Sequence, residues 1–185
     1  MKRALFAVLI AGLAAGSAFA QGDSKLKVKV GDKFPDVAVK VVQGEKALPD
    51  KKDATELKIS DLKGKVVVVF FYPKAMTPGC TVESCGFRDA VKDYPKDVVV
   101  VGASADQPAD NQKFIEKEKL PYALLCDSDL SLIKQLGVKM PTNPLARRVT
   151  FVVDQEGTIR KIYTVQKIKE HPAEVLAFVK TLGAK

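Results

Sequence analysis

The segment Val66-Val67-Val68-Val69-Phe70-Phe71-Tyr72 constrains this chain more than any other. An unbroken β-branched and aromatic run of this length reads as a strand buried on both faces, because no polar position marks a solvent side. Such a strand needs layers above and below it, which points to an α/β architecture. A short turn, Pro73-Lys74-Ala75-Met76, follows the run. Thr77 then suits an N-cap and Pro78 a first helical residue. Cys80 therefore falls in the first turn of a helix, where backbone N–H groups point outward and the local positive potential favours a thiolate. A strand that ends by presenting a thiol at a helix N-terminus is a candidate reactive site.

A second thiol, Cys85, lies five positions further on. On an ideal helix that spacing turns the second site by about 140° and raises it about 7.5 Å, leaving the Cα atoms roughly 8.6 Å apart. A disulfide needs them within about 7 Å. The pair cannot bond while the helix is intact, and closing so small a loop would contribute only about 2 kcal/mol as a staple. The geometry thus favours a cycling pair over a structural disulfide: Cys80 reacts in the folded state, the turn unwinds, and Cys85 then approaches. Gly79 and Gly86, at the two edges of this segment, reduce the free energy of unwinding.

The N-terminus has the layout of a secretory signal peptide. Lys2 and Arg3 precede an apolar stretch over residues 4–13, and Ala18-Phe19-Ala20 forms a small-x-small cleavage pattern. The apolar core is short for a membrane span, and Gln21 stands where a lipoprotein would carry cysteine. The expectation is a signal peptide over residues 1–20, no stable membrane anchor, and a periplasmic or secreted mature protein. Removing those 20 of 185 residues leaves 165, enough for one domain, and removing Lys2 and Arg3 lowers the formal charge from +8 to +6. The lysines mix with acids and form no stripe with aromatics, so nucleic acid binding is not indicated.

Three cysteines are an odd count for an exported chain, arguing against a complete disulfide framework. The single histidine, His171, precedes Pro172 and reads as a surface residue at a helix start. One histidine and no Cys-x-x-Cys leave little from which to build a zinc site or a Cys–His catalytic pair. Asp127-Ser128-Asp129 lacks the glycine and glutamate of a calcium loop, having Leu132 and Val138 at those positions, and reads as a helix N-cap. No metal and no cofactor are expected.

Along the chain, strands are expected at residues 37–42, 57–59, 65–72, 98–104 and 123–126. Helices are expected at 77–94, 109–119, 130–136 and 172–182, and a hairpin pairs 149–154 with 158–163. Residues 43–56 are polar and read as a surface connection. Together these elements predict a mixed central sheet with helices on both faces.

The stretch Pro73-x-x-x-Thr77-Pro78-Gly79-Cys80-Thr81-Val82-Glu83-Ser84-Cys85-x-Phe87-Arg88-Asp89 resembles the active-site motif of peroxiredoxins. It is most similar to the bacterioferritin-comigratory-protein or Q-type subfamily, of AhpC/TSA-like proteins, whose resolving cysteine lies five positions after the peroxidatic one. The likeness continues through Asp61-Leu62-Lys63-Gly64-Lys65, Val101-Gly102-x-Ser104-x-Asp106, Leu124-Leu125-x-Asp127 and Arg148-Val149-Thr150-Phe151-Val152-Val153-Asp154-x-x-Gly157, covering about residues 28–182. It implies a thioredoxin-like sandwich over residues 28–185 and a peroxidase reducing hydrogen peroxide and organic hydroperoxides. By the same resemblance Cys80 is peroxidatic and Cys85 resolving. The Thr77 hydroxyl and the Cys80 N–H would bond the peroxide oxygens, the Arg148 guanidinium would reach the thiolate, Pro73 would shield the pocket, and Glu83 would orient Arg148. Recycling would fall to a thioredoxin-like dithiol protein, and relatives of this type are often monomers. Ala75 and Cys126 depart from the commoner acid and small residue at their positions. Cys126 reads as a buried, inert thiol, and Arg147 as a surface cation. The alternative, an exported thiol–disulfide oxidoreductase, would want Cys-x-x-Cys with a preceding tryptophan, and the chain has no tryptophan. A copper-binding module would need a histidine ligand better placed than His171.

Overall fold

The computed structural model describes residues 25–51 and 53–183; the expected signal peptide lies outside these residues. Seven strands form one sheet: β1 (Val39–Val42), β2 (Glu56–Leu57), β3 (Val66–Phe71), β4 (Val98–Ser104), β5 (Ala123–Cys126), β6 (Val149–Val153) and β7 (Ile159–Thr164). Their spatial order is β2-β1-β5-β4-β3-β6-β7. β3 and β4 pair in parallel, as do β4 and β5, while β1, β2, β6 and β7 join antiparallel. The expected mixed sheet is therefore present.

All six residues of β3 are buried, and period-2 alternation divides them between two cores. Val67, Val69 and Phe71 point into one core together with Phe151, Val153 and the Leu132, Ile133 and Leu136 of α3 (Ser131–Leu136). Val66, Val68 and Phe70 point the other way. There they pack with Phe87 of α1 (Pro78–Ala90), Phe114 of α2 (Pro108–Glu118), and Val175 and Val179 of α4 (His171–Thr181). Stacked rings of Phe70 and Phe87, 4.4 Å apart, seat α1 on the sheet.

Local signals set several boundaries as expected. The Asp127 carboxylate accepts from the N–H of Ile133 at 2.7 Å and of Leu132 at 3.3 Å, capping α3. Gly137 ends that helix at φ 70°; a Cβ there would lie 2.5 Å from the Lys25 carbonyl, so both conformation and space require glycine.

Three expectations need correction. The 43–56 segment is not simply a surface connection: Gly44, Ala47 and Leu48 are buried, and the Gln43 side-chain amide donates to the carbonyls of Leu120 (2.9 Å) and Tyr122 (3.0 Å). Its scattered apolar residues have no period, so their burial is decided by what packs over them. Arg147 is not a surface cation; it is half-buried and donates to the Gly137 carbonyl at 2.6 Å, closing the loop between α3 and β6. His171 does begin α4 but is only 1% exposed. Its Nε2 lies 2.8 Å from the Thr150 hydroxyl, and its ring stands edge-on to Phe87 and Tyr163.

Candidate active site

β6 runs antiparallel to β3 with Val149 opposite Phe71, so the start of β6 lies beside the end of β3. This register brings Arg148 to the first turn of α1, although 68 residues separate it from Cys80. The Arg148 Nη2 donates to Cys80 Sγ at 3.3 Å, and its Nη1 is ion-paired with Glu83 Oε2. Cys80 and Glu83 sit three apart in α1, one turn, and so share a face toward β6.

Cys80 is 1% exposed and Glu83 is fully buried. Burial raises the Glu83 carboxyl from 4.5 to about 7, even though Arg148 pulls the other way. Its Oε1 has no hydrogen-bond partner and is a ready position for that proton. Burial also opposes the charge of Arg148, but Glu83 and Cys80 outweigh it and hold the guanidinium above its usual range. The cation facing Cys80 Sγ is thus permanent, while its carboxylate partner titrates near neutrality.

Thr77 occupies the N-cap position, but its hydroxyl does not cap the helix; it donates to the Lys74 carbonyl at 2.9 Å. With its proton so committed, the hydroxyl oxygen can still accept a further hydrogen bond. The first-turn N–H groups of α1, that of Cys80 among them, therefore receive no bond from an N-cap side chain. Pro73 is half-buried beside the fully covered Tyr72, and Met76 adopts a left-handed φ of 60° in the turn between them and Thr77. Such a conformation persists only where the surroundings enforce it.

The restraint comes from residues to which the sequence alone assigned no role. Asp106, just past β4, accepts from the Ala75 N–H at 2.8 Å. The Tyr72 hydroxyl donates to Asn111 Oδ1 at 2.7 Å, and Asn111 Nδ2 donates to the Ser104 hydroxyl at 3.3 Å. The available signal was the Ser104-x-Asp106 pattern at the end of a buried strand, where a carboxylate needs a partner. Burial pushes the Cys126 thiol pKa up, even though Asn111 Nδ2 donates a hydrogen bond to its sulfur at 3.3 Å and pulls the other way.

Cys85 lies on the same helix as Cys80, half-buried, and both are free thiols. Burial raises its pKa, and the nearby Glu118 carboxylate adds to this. The structure therefore brings Cys80, Glu83 and Arg148 into direct contact, sets Thr77 at the head of the same helix, and holds Cys85 apart. A cavity of about 310 Å³, lined by Phe34, Ile59, Leu62 and Val67, lies toward the opposite end of β3. Among the described residues no cluster of His, Cys, Asp and Glu could hold a metal ion.

A mixed sheet flanked by helices, with a cation-paired cysteine heading the helix after the central strand, defines a thiol-based redox protein of thioredoxin-like fold. Comparison with known proteins narrows this. Residues 30–162 match the AhpC/TSA family. Peroxiredoxin Bcp of Bacillus subtilis is 37% identical over 167 residues, covering 86% of this chain and all of that protein. Peroxiredoxin Bcp of Escherichia coli is 38% identical over 141 residues, 72% of this chain and 90% of that one. The crystal structure of Mycobacterium tuberculosis peroxidoxin BcpB matches with a TM-score of 0.71 at 31% identity, covering 83% of this chain and 97% of that one. Xylella fastidiosa PrxQ, at 23% identity and a TM-score of 0.73 over 84% of this chain and 97% of that one, shares the fold. The chain belongs to the AhpC/TSA family and is an enzyme of the peroxiredoxin type.

Proposed function

We propose that the chain reduces hydrogen peroxide and organic hydroperoxides with Cys80 as the peroxidatic and Cys85 as the resolving cysteine. The observation that carries this is the Arg148 guanidinium donating to Cys80 Sγ in the first turn of α1, with the second thiol further along the same helix. The Cys80 thiolate attacks the terminal peroxide oxygen; an S–O bond forms, the O–O bond breaks, and the leaving alkoxide or hydroxide takes up a proton. Negative charge migrates from sulfur to that oxygen. Arg148 is placed to follow it, with the Cys80 N–H as a second fixed donor. Thr77, whose proton is committed to Lys74, accepts from the peroxide O–H and orients it. Glu83 holds Arg148 in register, and Pro73 limits the approach of water.

Cys85 then attacks the Cys80 sulfenic acid. An S–S bond replaces the S–O bond and water leaves. The helical separation of about 8.6 Å means that α1 must open between the two residues first. A dithiol protein of the thioredoxin type reduces the disulfide, and the enzyme works as a monomer. The basic start, short apolar core and Ala18-Phe19-Ala20 pattern support cleavage after Ala20 and action in the periplasm or outside the cell. The reductant would then be an exported one.

The test is stoichiometric hydrogen peroxide added to reduced protein, quenched with an alkylating agent and read by mass spectrometry. Two thiols should disappear together as a Cys80–Cys85 disulfide. Cys80→Ser should consume no peroxide, and Cys85→Ser should stop at sulfenic acid. Peroxide consumption that survives Cys80→Ser rules the reading out.

A further inference from the structure

The turn of α1 that must open for resolution is tied down by one short stretch of chain, residues 118–122, from the last residue of α2 to the start of β5. The Tyr122 hydroxyl, buried, donates to the Ser84 carbonyl at 2.8 Å. The Cys85 thiol donates to Glu118 Oε2 at 3.6 Å, and Arg88 Nη1 donates to the Glu118 carbonyl at 2.8 Å. These bonds fall on Ser84, Cys85 and Arg88, the segment carrying the resolving sulfur. None of them reaches Cys80, Thr77 or Arg148. Tyr122 is held in turn from the other side, its ring edge-on to Phe70 at 5.7 Å. Its backbone carbonyl accepts from Gln43 at 3.0 Å.

Bonds of this kind suit a catch better than a support. The Ser84 carbonyl already has its helical ladder partner, so the Tyr122 bond is an additional one that must break when the turn unwinds. The bond from Cys85 to Glu118 keeps the proton on the sulfur, and a thiol is a poorer nucleophile than a thiolate. While closed, the arrangement both immobilises the resolving residue and leaves it unreactive.

We propose that Glu118 and Tyr122 form a latch on the resolving turn of α1, and that its release sets the rate of disulfide formation after Cys80 is oxidised. They are positioning residues for the second chemical step and do not take part in the first. The latch rests on the assignment of Cys80 and Cys85 made above. The longer it stays closed, the longer the Cys80 sulfenic acid meets further peroxide, which carries it irreversibly to the sulfinic acid.

Tyr122→Phe removes one hydroxyl and keeps the ring, while Glu118→Ala removes the thiol's acceptor at the end of a helix and keeps the backbone carbonyl that holds Arg88. Rapid mixing with hydrogen peroxide, quenched by alkylation and read by mass spectrometry, separates appearance of the sulfenic acid from its conversion to disulfide. In Tyr122→Phe the conversion should accelerate roughly fivefold, the factor for loss of one neutral hydrogen bond, with the oxidation step as the internal reference. Glu118→Ala should accelerate it in the same direction. In reduced Tyr122→Phe the amides of residues 84–88 should exchange with deuterium faster by a similar factor. Conversion at the parent rate or slower in both variants, or unchanged amide exchange, overturns the latch. A parent protein whose Cys80 forms no sulfenic acid overturns instead the assignment beneath it.

Discussion

Glu83 and His171 flank Arg148 with opposite displacements, and separating them gives a sharp test of the site's electrostatics. Burial raises the Glu83 carboxyl from 4.5 to about 7. Burial, together with the Arg148 charge, lowers the His171 imidazole from 6.5 to about 4. The folded protein holds the Glu83 proton more tightly than the unfolded chain does. That group therefore destabilises fully above about pH 7, and its penalty is relieved as pH falls toward 4.5. The folded protein holds the His171 proton less tightly, so the stability contributed by neutral His171 is complete above pH 6.5 and lost as pH falls toward 4. Each displacement spans about 2.5 in pH, or about 3 kcal/mol, and the two nearly cancel where their windows overlap. Glu83→Gln keeps an oxygen for Arg148 and removes the titration, whereas His171→Gln keeps a polar group near Thr150 and removes the other. Between pH 6.5 and 5, relative to the parent protein, Glu83→Gln should lose about 2 kcal/mol of stability and His171→Gln should gain about as much. Urea unfolding of the reduced proteins followed by circular dichroism at the two pH values measures this. Parallel pH slopes in the two variants would refute the reasoning, because it demands deviations of opposite sign.

Arg148→Met should slow oxidation of Cys80 by about 10- to 150-fold, corresponding to about 1.5–3 kcal/mol for a hydrogen bond to a charged group, measured by competition for hydrogen peroxide. Arg148→Lys should recover only part of this, since one ammonium cannot serve Cys80 and Glu83 with the fixed geometry of a guanidinium. Gly86→Ala would place a Cβ 2.8 Å from Pro172 Cγ at the contact of α1 with α4. Overpacking of about 1–3 kcal/mol should exceed the helix propensity gained, about 1 kcal/mol, giving a lower urea midpoint. Cys126 should resist iodoacetamide in the native reduced protein and be labelled only once denaturant is added, as peptide mapping will show, because it is buried with its thiol pushed up.

Much of the fold is legible in the chain because its signals are local. The apolar run of β3, the Thr77-Pro78 helix start, the Asp127 cap and the hairpin of β6 and β7 each depend on a few adjacent residues, and each is found at its expected place within a residue or two. The helix expected to reach residue 94 instead ends as α1 at Ala90 and continues as a 3-10 turn over Val91–Asp93. Spacing alone also places Cys85 too far from Cys80 to bond within an intact helix, and α1 runs unbroken from Pro78 to Ala90 through both.

What the linear order could not decide is where distant polar groups end up relative to one another. Arg148 faces Cys80 because β6 pairs antiparallel with β3 in one particular register. That pairing also buries Glu83 under the guanidinium, while α4 buries His171 against Thr150, Phe87 and Tyr163. Neither residue carries a local mark of burial, since a charged or imidazole side chain reads as a surface group until something is packed over it. Tyr122 is equally silent in sequence, its partner lying 38 residues away. The thiols, their spacing and the helix that carries them follow from short-range preferences. The charges and catches that tune those thiols come from long-range packing, where desolvation decides what each polar group does.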